Sequence, residues 1–374
     1  MSADLPGVAD VYLHIGTMKT GTSYLQQVLE SHPEQLAEEG VLYVNRGRDA
    51  AGAVRDVLSL SNRQRNVAGA WERMVGRTHA WPGRAVVISS ELLSFADDAT
   101  AERVVESLRP ARVTVLVTAR DLARLLPSAW QNKIKHGRSW SLHTYLEAVM
   151  AADADPRGSG RSFWHHHDLG QIVGRWVRAA SAADVVVIPV PPDGSEPRLL
   201  WRRFAEVIGL NVDAYETNQD QRSNFSLGYP ETELLRSVNR ELKTTFDSET
   251  HRQYVLKYLA NEVLRPDPSS GAVPDRAVLP PAVYDWAVVR SRELADEVVA
   301  LGVRVQGDID DLVPILLTDE ERATAATDTN GELPAWAVRL VTTLVTRLAE
   351  AESSAPQDSA GPRQRRARPA GPDA

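Results

Sequence analysis

Residues 16–23 read GTMKTGTS and separate a β-rich run from a helical one. Gly16 and Gly21 let the backbone turn tightly and come close to an anion. Thr20, Thr22 and Ser23 add hydroxyl donors, and Lys19 adds a mobile cation. A loop that leaves the carboxyl end of a strand and enters a helix presents unpaired N–H groups. The helix dipole adds about half a positive charge there. Gripping a phosphate is the chemistry this combination favours. In the Walker A pattern, G-x-x-x-x-G-K-[ST], lysine follows the second glycine. Gly16 and Gly21 keep that separation, but Thr22 stands where the lysine would be and Lys19 sits three residues earlier. Chemistry on a magnesium-bound nucleoside triphosphate wants the lysine at the helix start, so the loop favours a phosphate more than a kinase's triphosphate.

A second anion element follows the run ARVTVLVTAR. Arg120 closes a strand, so it faces the same sheet edge as the first loop. Its guanidinium can bond two oxygens of one phosphate at once. Ser128, eight residues on along the next helix, can join it. Pro127 precedes that serine. A proline inside a helix removes a hydrogen bond at a cost of about 3 kcal/mol, so the helix either restarts or kinks there.

These residues need a sheet to hold them. DVYLHIG (10–16), GVLYVNRG (40–47), RAVVISSELL (84–93), ARVTVLVTAR (111–120) and ADVVVIPV (183–190) read as strands. Between them SYLQQVLESH (23–32), residues 61–79, TAERVVESLR (100–109), residues 121–135 and DLGQIVGRWVRAA (168–180) read as helices, and RLLWRRFAEVIGL (198–210) closes the series. Strictly alternating strands and helices predict a three-layer α/β/α fold around a central parallel sheet. Runs such as VVVI and VTVLV lack polar alternation, as strands buried on both faces do. The expected organisation is a core at 8–220, a mostly helical part at 221–350 that packs on the core or caps the site, and a disordered tail at 353–374. That tail carries the basic knot RQRRAR, read as a solvated charge run.

The stretch KTGTSYL resembles the 5′-phosphosulfate loop of sulfotransferases that use 3′-phosphoadenosine 5′-phosphosulfate (PAPS), P-K-[ST]-G-[ST]-[ST]-x-L. Lys19, Thr20, Gly21, Thr22, Ser23 and Leu25 match, and Met18 stands at the proline. Arg120 and Ser128 are similar to that family's 3′-phosphate motif, an arginine after a strand and a serine eight residues on. The resemblance covers about residues 10–210. It implies a fold related to P-loop nucleotide kinases, transfer of a sulfonate from PAPS to a hydroxyl or amine, adenosine 3′,5′-bisphosphate as product, and no required metal. It also implies that Lys19 meets the bridging oxygen and that Thr20, Gly21, Thr22, Ser23 and Tyr24 surround the 5′-phosphate. The alternative on the same fold is a nucleotide or small-molecule kinase.

Such a transfer needs a proton acceptor near the acceptor group. Glu91 is the first candidate, because it follows a strand and lies on the edge shared by Lys19 and Arg120. Ser89 and Ser90 could line that edge. His136, after the helix of Ser128, is the second, and His14 lies within the first strand and reads as core. FWHHHDL (163–169) invites a metal reading, but three successive helical histidines point about 100° apart, so no metal site is expected. Trp164 beside them reads as core before it reads as a sugar-stacking residue. In RSNFSLG (222–228), Arg222 and Asn224 are candidates to close over the nucleotide, with a plain turn as the equal alternative.

The chain has 374 residues and a net charge of −8, with no cysteine. A mildly acidic chain is a poor general nucleic-acid binder, so an anionic ligand must be met by a local pocket. The absence of cysteine excludes disulfides, thiolate catalysis and cysteine metal sites, and fits a reducing cytosol. No basic and apolar leader opens the sequence, and no apolar run is long enough to span a bilayer. A cytoplasmic enzyme is therefore expected. Its acceptor would be a small molecule, a lipid or a carbohydrate, with the region between Trp140 and His167 and the helices after 225 shaping the pocket. Oligomeric state is not legible.

Overall fold

Apolar residues run unbroken through the middle strands, so the sheet has to be covered on both sides. In the computed structural model, which describes residues 8–45, 50–60, 67–151, 158–181, 184–217, 227–265, 276–327 and 335–354, six strands form one parallel sheet. They are β1 Asp10–His14, β2 Val41–Tyr43, β3 Ala85–Ser89, β4 Val113–Ala119, β5 Val185–Pro189 and β6 Arg304–Val305, in the order β2-β3-β1-β4-β5-β6. Register pairs His14 with Ser89 of β3 and with Leu116 of β4.

Successive residues of each strand feed opposite cores. Val11, Leu13, Val86, Ile88, Val115 and Val117 pack into one, and Val87, Leu116, Val186 and Ile188 into the other. The second core is closed by α1 (Thr22–Ser31), α2 (Pro33–Glu38) and α10 (Leu199–Ile208). The first is closed by α3 (Ala50–Val57), α4 (Ala70–His79), α5 (Asp98–Ser107), α6 (Leu122–Lys135), α7 (Leu142–Met150), α8 (Ser159–His167) and α9 (Leu169–Ala179). The later helices α11 (Tyr229–Leu242), α13 (Pro281–Ala300) and α15 (Ala335–Ser354) join that same core; α12 (Ser248–Thr250), which runs into a π-helical stretch His251–Val263, and α14 (Asp319–Thr327) are the other helices of this part among the described residues. The three-layer α/β/α architecture expected from the alternation is thus present.

Several local readings are corrected. The helix expected over 61–79 starts only at Ala70, because Gly69 takes a left-handed φ of 70° just before it; residues 61–66 lie outside the described residues. Pro33 does not merely end a helix: it opens α2 at its first turn, where a missing N–H costs nothing. The strand expected over 40–47 is only three residues long, Val41–Tyr43. α3, α7 and the two-residue β6 were not anticipated, and β6 brings a strand from the helical part into the sheet. The helix α15 reaches Ser354, and residues 355–374, with the basic knot, lie outside the described residues.

From β1 the chain moves toward β3 and β2, and from β4 toward β5 and β6. The order therefore reverses between β1 and β4, and the crevice at their carboxyl ends is the topological switch point, where open α/β sheets bind ligands.

Candidate functional site

Both anion elements flank that crevice. After β1, the backbone stays on the edge of β4 through Ile15 N donating to Leu116 O (2.9 Å) and Thr17 N donating to Thr118 O (3.1 Å). It then turns through Lys19, whose φ is 70°, and Gly21, whose φ is 82°. Lysine in the left-handed region costs roughly 1–2 kcal/mol, so its surroundings must hold it there. Helix α1 starts at Thr22 with no side-chain cap and no acidic residue in its first turn, which leaves its amino end electropositive. A Cβ on Gly21 would come within 2.6 Å of Leu200 Cδ2. One on Gly16 would meet Thr118 Oγ1 at 2.0 Å, His14 Nε2 at 2.8 Å and Thr22 Oγ1 at 2.9 Å. Glycine at 16 is thus required by close approach, and at 21 by backbone conformation as well.

Thr20 is buried and donates its hydroxyl to Thr17 O (2.5 Å). Thr22 is also buried, and its Oγ1 has no hydrogen-bond partner. Ser23 is exposed and Tyr24 half-buried at the loop's outer rim. Lys19 keeps an exposed flank, yet the surrounding protein takes water from its ammonium and lowers its pKa; Glu91 opposes that shift and the Arg120 charge adds to it.

Arg120 emerges from the end of β4 half-buried, and its Nε is buried without a hydrogen-bond partner. Loss of water and the neighbouring Arg124 lower its pKa to about 10, so it stays a cation at neutral pH. Arg124, by contrast, is fully committed. It pairs with Asp121 and donates to Pro191 O (2.7 Å) and Val190 O (3.1 Å). Asp121 also caps α6 by accepting from Arg124 N (2.9 Å). Behind Arg120 lies a cavity of about 20 Å³ bordered by Thr17, His167 and Ser291.

Helix α6 runs through Pro127 without a break. Arg124, Ser128, Gln131 and Lys135 recur at spacings of four, three and four, forming one half-buried stripe along it. Lys135, at its far end, is lowered to about 8 by burial and by the charge of Lys19. The stripe carrying Ser128 therefore ends beside the loop's lysine. Lys135 was missed in the sequence, although its spacing from Ser128 was the available signal.

Glu91 opens a 3₁₀ turn, Glu91–Phe95, directly after β3 and is half-buried. Its charge acts on Lys19 and on Tyr43, whose hydroxyl pKa is raised mainly by burial. Ser90 N donates to His14 O (2.9 Å), which seats that turn against β1. Arg120, Glu91 and Lys135 thus each lie within electrostatic reach of Lys19. His136 does not. It caps the end of α6, is exposed, and its Nδ1 lies 2.7 Å from Asn132 O. Its charge acts on His251, and among the described residues no interaction joins it to Lys19 or Arg120.

The triple histidine diverges as its helical spacing requires. His165 is exposed, His166 packs on Phe95 at 4.3 Å between ring centroids, and His167 is buried. Among the described residues no three His, Cys, Asp or Glu side chains form a group able to hold a metal. Trp164 is structural: its Nε1 donates to Val149 O (2.9 Å), and Arg290 lies over its ring. Arg222 and Asn224 lie outside the described residues. Among the described residues no helix is long and apolar enough to cross a membrane.

No protein-family model matches the chain, and neither does any curated protein. Among solved structures, a sulfotransferase from Alicyclobacillus acidocaldarius is similar at 15% identity and a TM-score of 0.40, over 64% of this chain and 98% of that one. Likeness at this level carries no argument about function.

Proposed function

We propose that this chain transfers a sulfonate from PAPS to a hydroxyl or amine of a small molecule, lipid or carbohydrate. One observation carries the reading. Two cation-bearing elements flank the switch point on adjacent strands, and each holds a buried polar atom with no partner, Thr22 Oγ1 and Arg120 Nε. Orphaned buried donors cost stability unless something pairs with them. A nucleotide with two separate phosphate groups fits such a pair of sites; one phosphate alone would use only one.

In this reading the loop amides, that of Thr20 among them, and the hydroxyls of Thr22 and Ser23 bind the 5′-phosphate. Arg120 binds the 3′-phosphate, with Ser128 beside it, and Tyr24 borders the nucleotide. Lys19 neutralises the charge that grows on the bridging oxygen as its bond to sulfur breaks. Glu91 takes the proton from the acceptor as the new sulfur–oxygen or sulfur–nitrogen bond forms, and adenosine 3′,5′-bisphosphate leaves. The protein's work is positioning and charge stabilisation, which asks for no metal. His136 enters this scheme only if it moves to the loop, so Glu91 is the proposed base.

Thermal unfolding in the presence of ligands tests the proposal. Adenosine 3′,5′-bisphosphate without metal is expected to raise Tm, by about 2.7 kcal/mol of stability at a hundredfold excess over Kd. Stabilisation by Mg-ATP alone would sink the reading in favour of a kinase.

A further inference from the structure

Beneath the loop, five side chains form one hydrogen-bonded line. Gln26 Nε2 lies 3.1 Å from Ser89 Oγ, and Ser89 Oγ lies 2.8 Å from His14 Nδ1. His14 Nε2 lies 3.1 Å from Thr118 Oγ1, which lies 2.8 Å from Thr20 Oγ1. Thr20 Oγ1 ends the line on Thr17 O at 2.5 Å. The line starts on α1, crosses the three central strands and finishes inside the loop. His14, Thr118 and Thr20 are wholly buried in it, and Ser89 nearly so.

Counting protons fixes their direction. Each of the five contacts needs one proton. Gln26 supplies the first, because the same nitrogen also meets Ser89 O at 3.2 Å and must be the amide donor. At the other end a carbonyl accepts, so the Thr20 hydroxyl spends its proton on Thr17 O. Thr118 must then donate to Thr20, and His14 Nε2–H must donate to Thr118. Nδ1 is left as the acceptor for the Ser89 hydroxyl. The other neutral tautomer leaves the Thr118–Thr20 contact with no proton. A doubly protonated ring leaves the Ser89 hydroxyl proton without an acceptor, and buries a charge with no carboxylate among its contacts.

We infer that His14, as its Nε2–H tautomer, is the positioning residue of the anion loop: through Thr118 it holds Thr20, and so the left-handed turn that presents Lys19. Thr20 is the residue next to the strained Lys19, and Ser89 at the other end of the line lies two residues before Glu91. One ring therefore sets both the cation's loop and the carboxylate's turn. Gly16 is the space this arrangement requires, since a Cβ there would strike both Thr118 and His14. Only the choice of ligand in the second test below rests on the proposed function.

Long-range ¹H–¹⁵N spectra of the full chain, with His14 assigned by its disappearance in His14→Gln, read the tautomer directly. The Nε2-protonated pattern is expected at neutral pH; the Nδ1-protonated or imidazolium pattern overturns the inference. Calorimetry with adenosine 3′,5′-bisphosphate reads the positioning. Thr118→Val keeps the shape but cuts the line, and is expected to weaken binding roughly tenfold. Thr118→Ser restores the hydroxyl, and is expected to bind within about threefold of the parent. Equal binding by the valine variant, or no rescue by serine, would show that the line holds nothing the ligand feels. If the parent chain fails to bind the nucleotide, the proposed donor is wrong, and the spectra still decide the tautomer.

Discussion

The two anion elements on either side of the crevice are held in opposite ways. Under the Lys19 loop, a line from Gln26 to Thr17 partners each side chain in it, and the buried atoms left without a partner nearby, Thr22 Oγ1 and Tyr24 Oη, belong to the cradle itself. Around Arg120 the polar groups are unfinished. Arg120 Nε and His167 Nδ1 are both buried without partners and border the same small cavity. The loop is set without a ligand, whereas the Arg120 side keeps donors that the proposed nucleotide would complete. On the proposed reading, a fixed cradle with an unfinished arginine would make the reacting end rigid and let the remote phosphate supply binding energy.

Acid is expected to strike both halves hardest. Burial lowers both His14 and His167 to about 3, below the ordinary value of 6.5. An unfolded chain takes up those protons as pH falls below about 6.5, and the folded chain does not until about 3. Both rings therefore favour the fold fully above 6.5, and that contribution is lost on the way down to 3. The slope is at most about 1.4 kcal/mol per pH unit for each ring. Denaturant titrations from pH 7 to 4 check this; a flat stability would mean that neither ring is buried neutral.

Lys19→Ala comes next and separates chemistry from folding. It is expected to cost roughly 100- to 1000-fold in kcat, the range for removing one preorganised charge donor. Full activity in this variant would remove the proposed mechanism. Arg120→Leu sharpens the contrast. It is expected to weaken adenosine 3′,5′-bisphosphate binding by about 1.5–3 kcal/mol, while Tm holds or rises because a half-buried guanidinium with an unpartnered Nε is removed. A large drop in Tm would show that the Arg120 side is as finished as the loop. Gly16→Ala attacks the fixed half, and overpacking there is expected to cost about 1–3 kcal/mol of stability. An unchanged melting curve would mean that Thr118 and His14 can move aside.

The sheet and the two cation sites were legible in sequence for one reason. Strands buried on both faces announce themselves by unbroken apolar runs, and whatever follows their carboxyl ends must share one edge. That rule puts Lys19, Glu91 and Arg120 on one edge, and in the fold Glu91 and Arg120 lie within electrostatic reach of Lys19. The partners of those residues were not legible, because they depend on register. Whether Ser89 and Thr118 reach His14 is decided by how β3 and β4 slide against β1. The signals present were faint: Thr118 is a polar residue in an apolar strand, and Gln26 follows Thr22 by four along α1. His14 read as core, and it is buried, but its two ring nitrogens make it a connector as well. His136 looked promising by type and position, and the turn at the end of α6 directs its ring back to its own helix instead. β6 offered no pattern at all, being two residues long with an exposed arginine.

The shortness of the outer strands has a consequence for how the protein behaves at high concentration. β2 has three residues and β6 two, so the rims of the sheet present almost no ladder for a second molecule to extend. A segment whose composition suits fibrous stacking, VTVLVTA at 113–119, is uncharged and free of proline, and lies in the middle of the sheet between β1 and β5. Aggregation should therefore follow the unfolded fraction and not the total protein, and whatever keeps the crevice folded also keeps that segment out of reach.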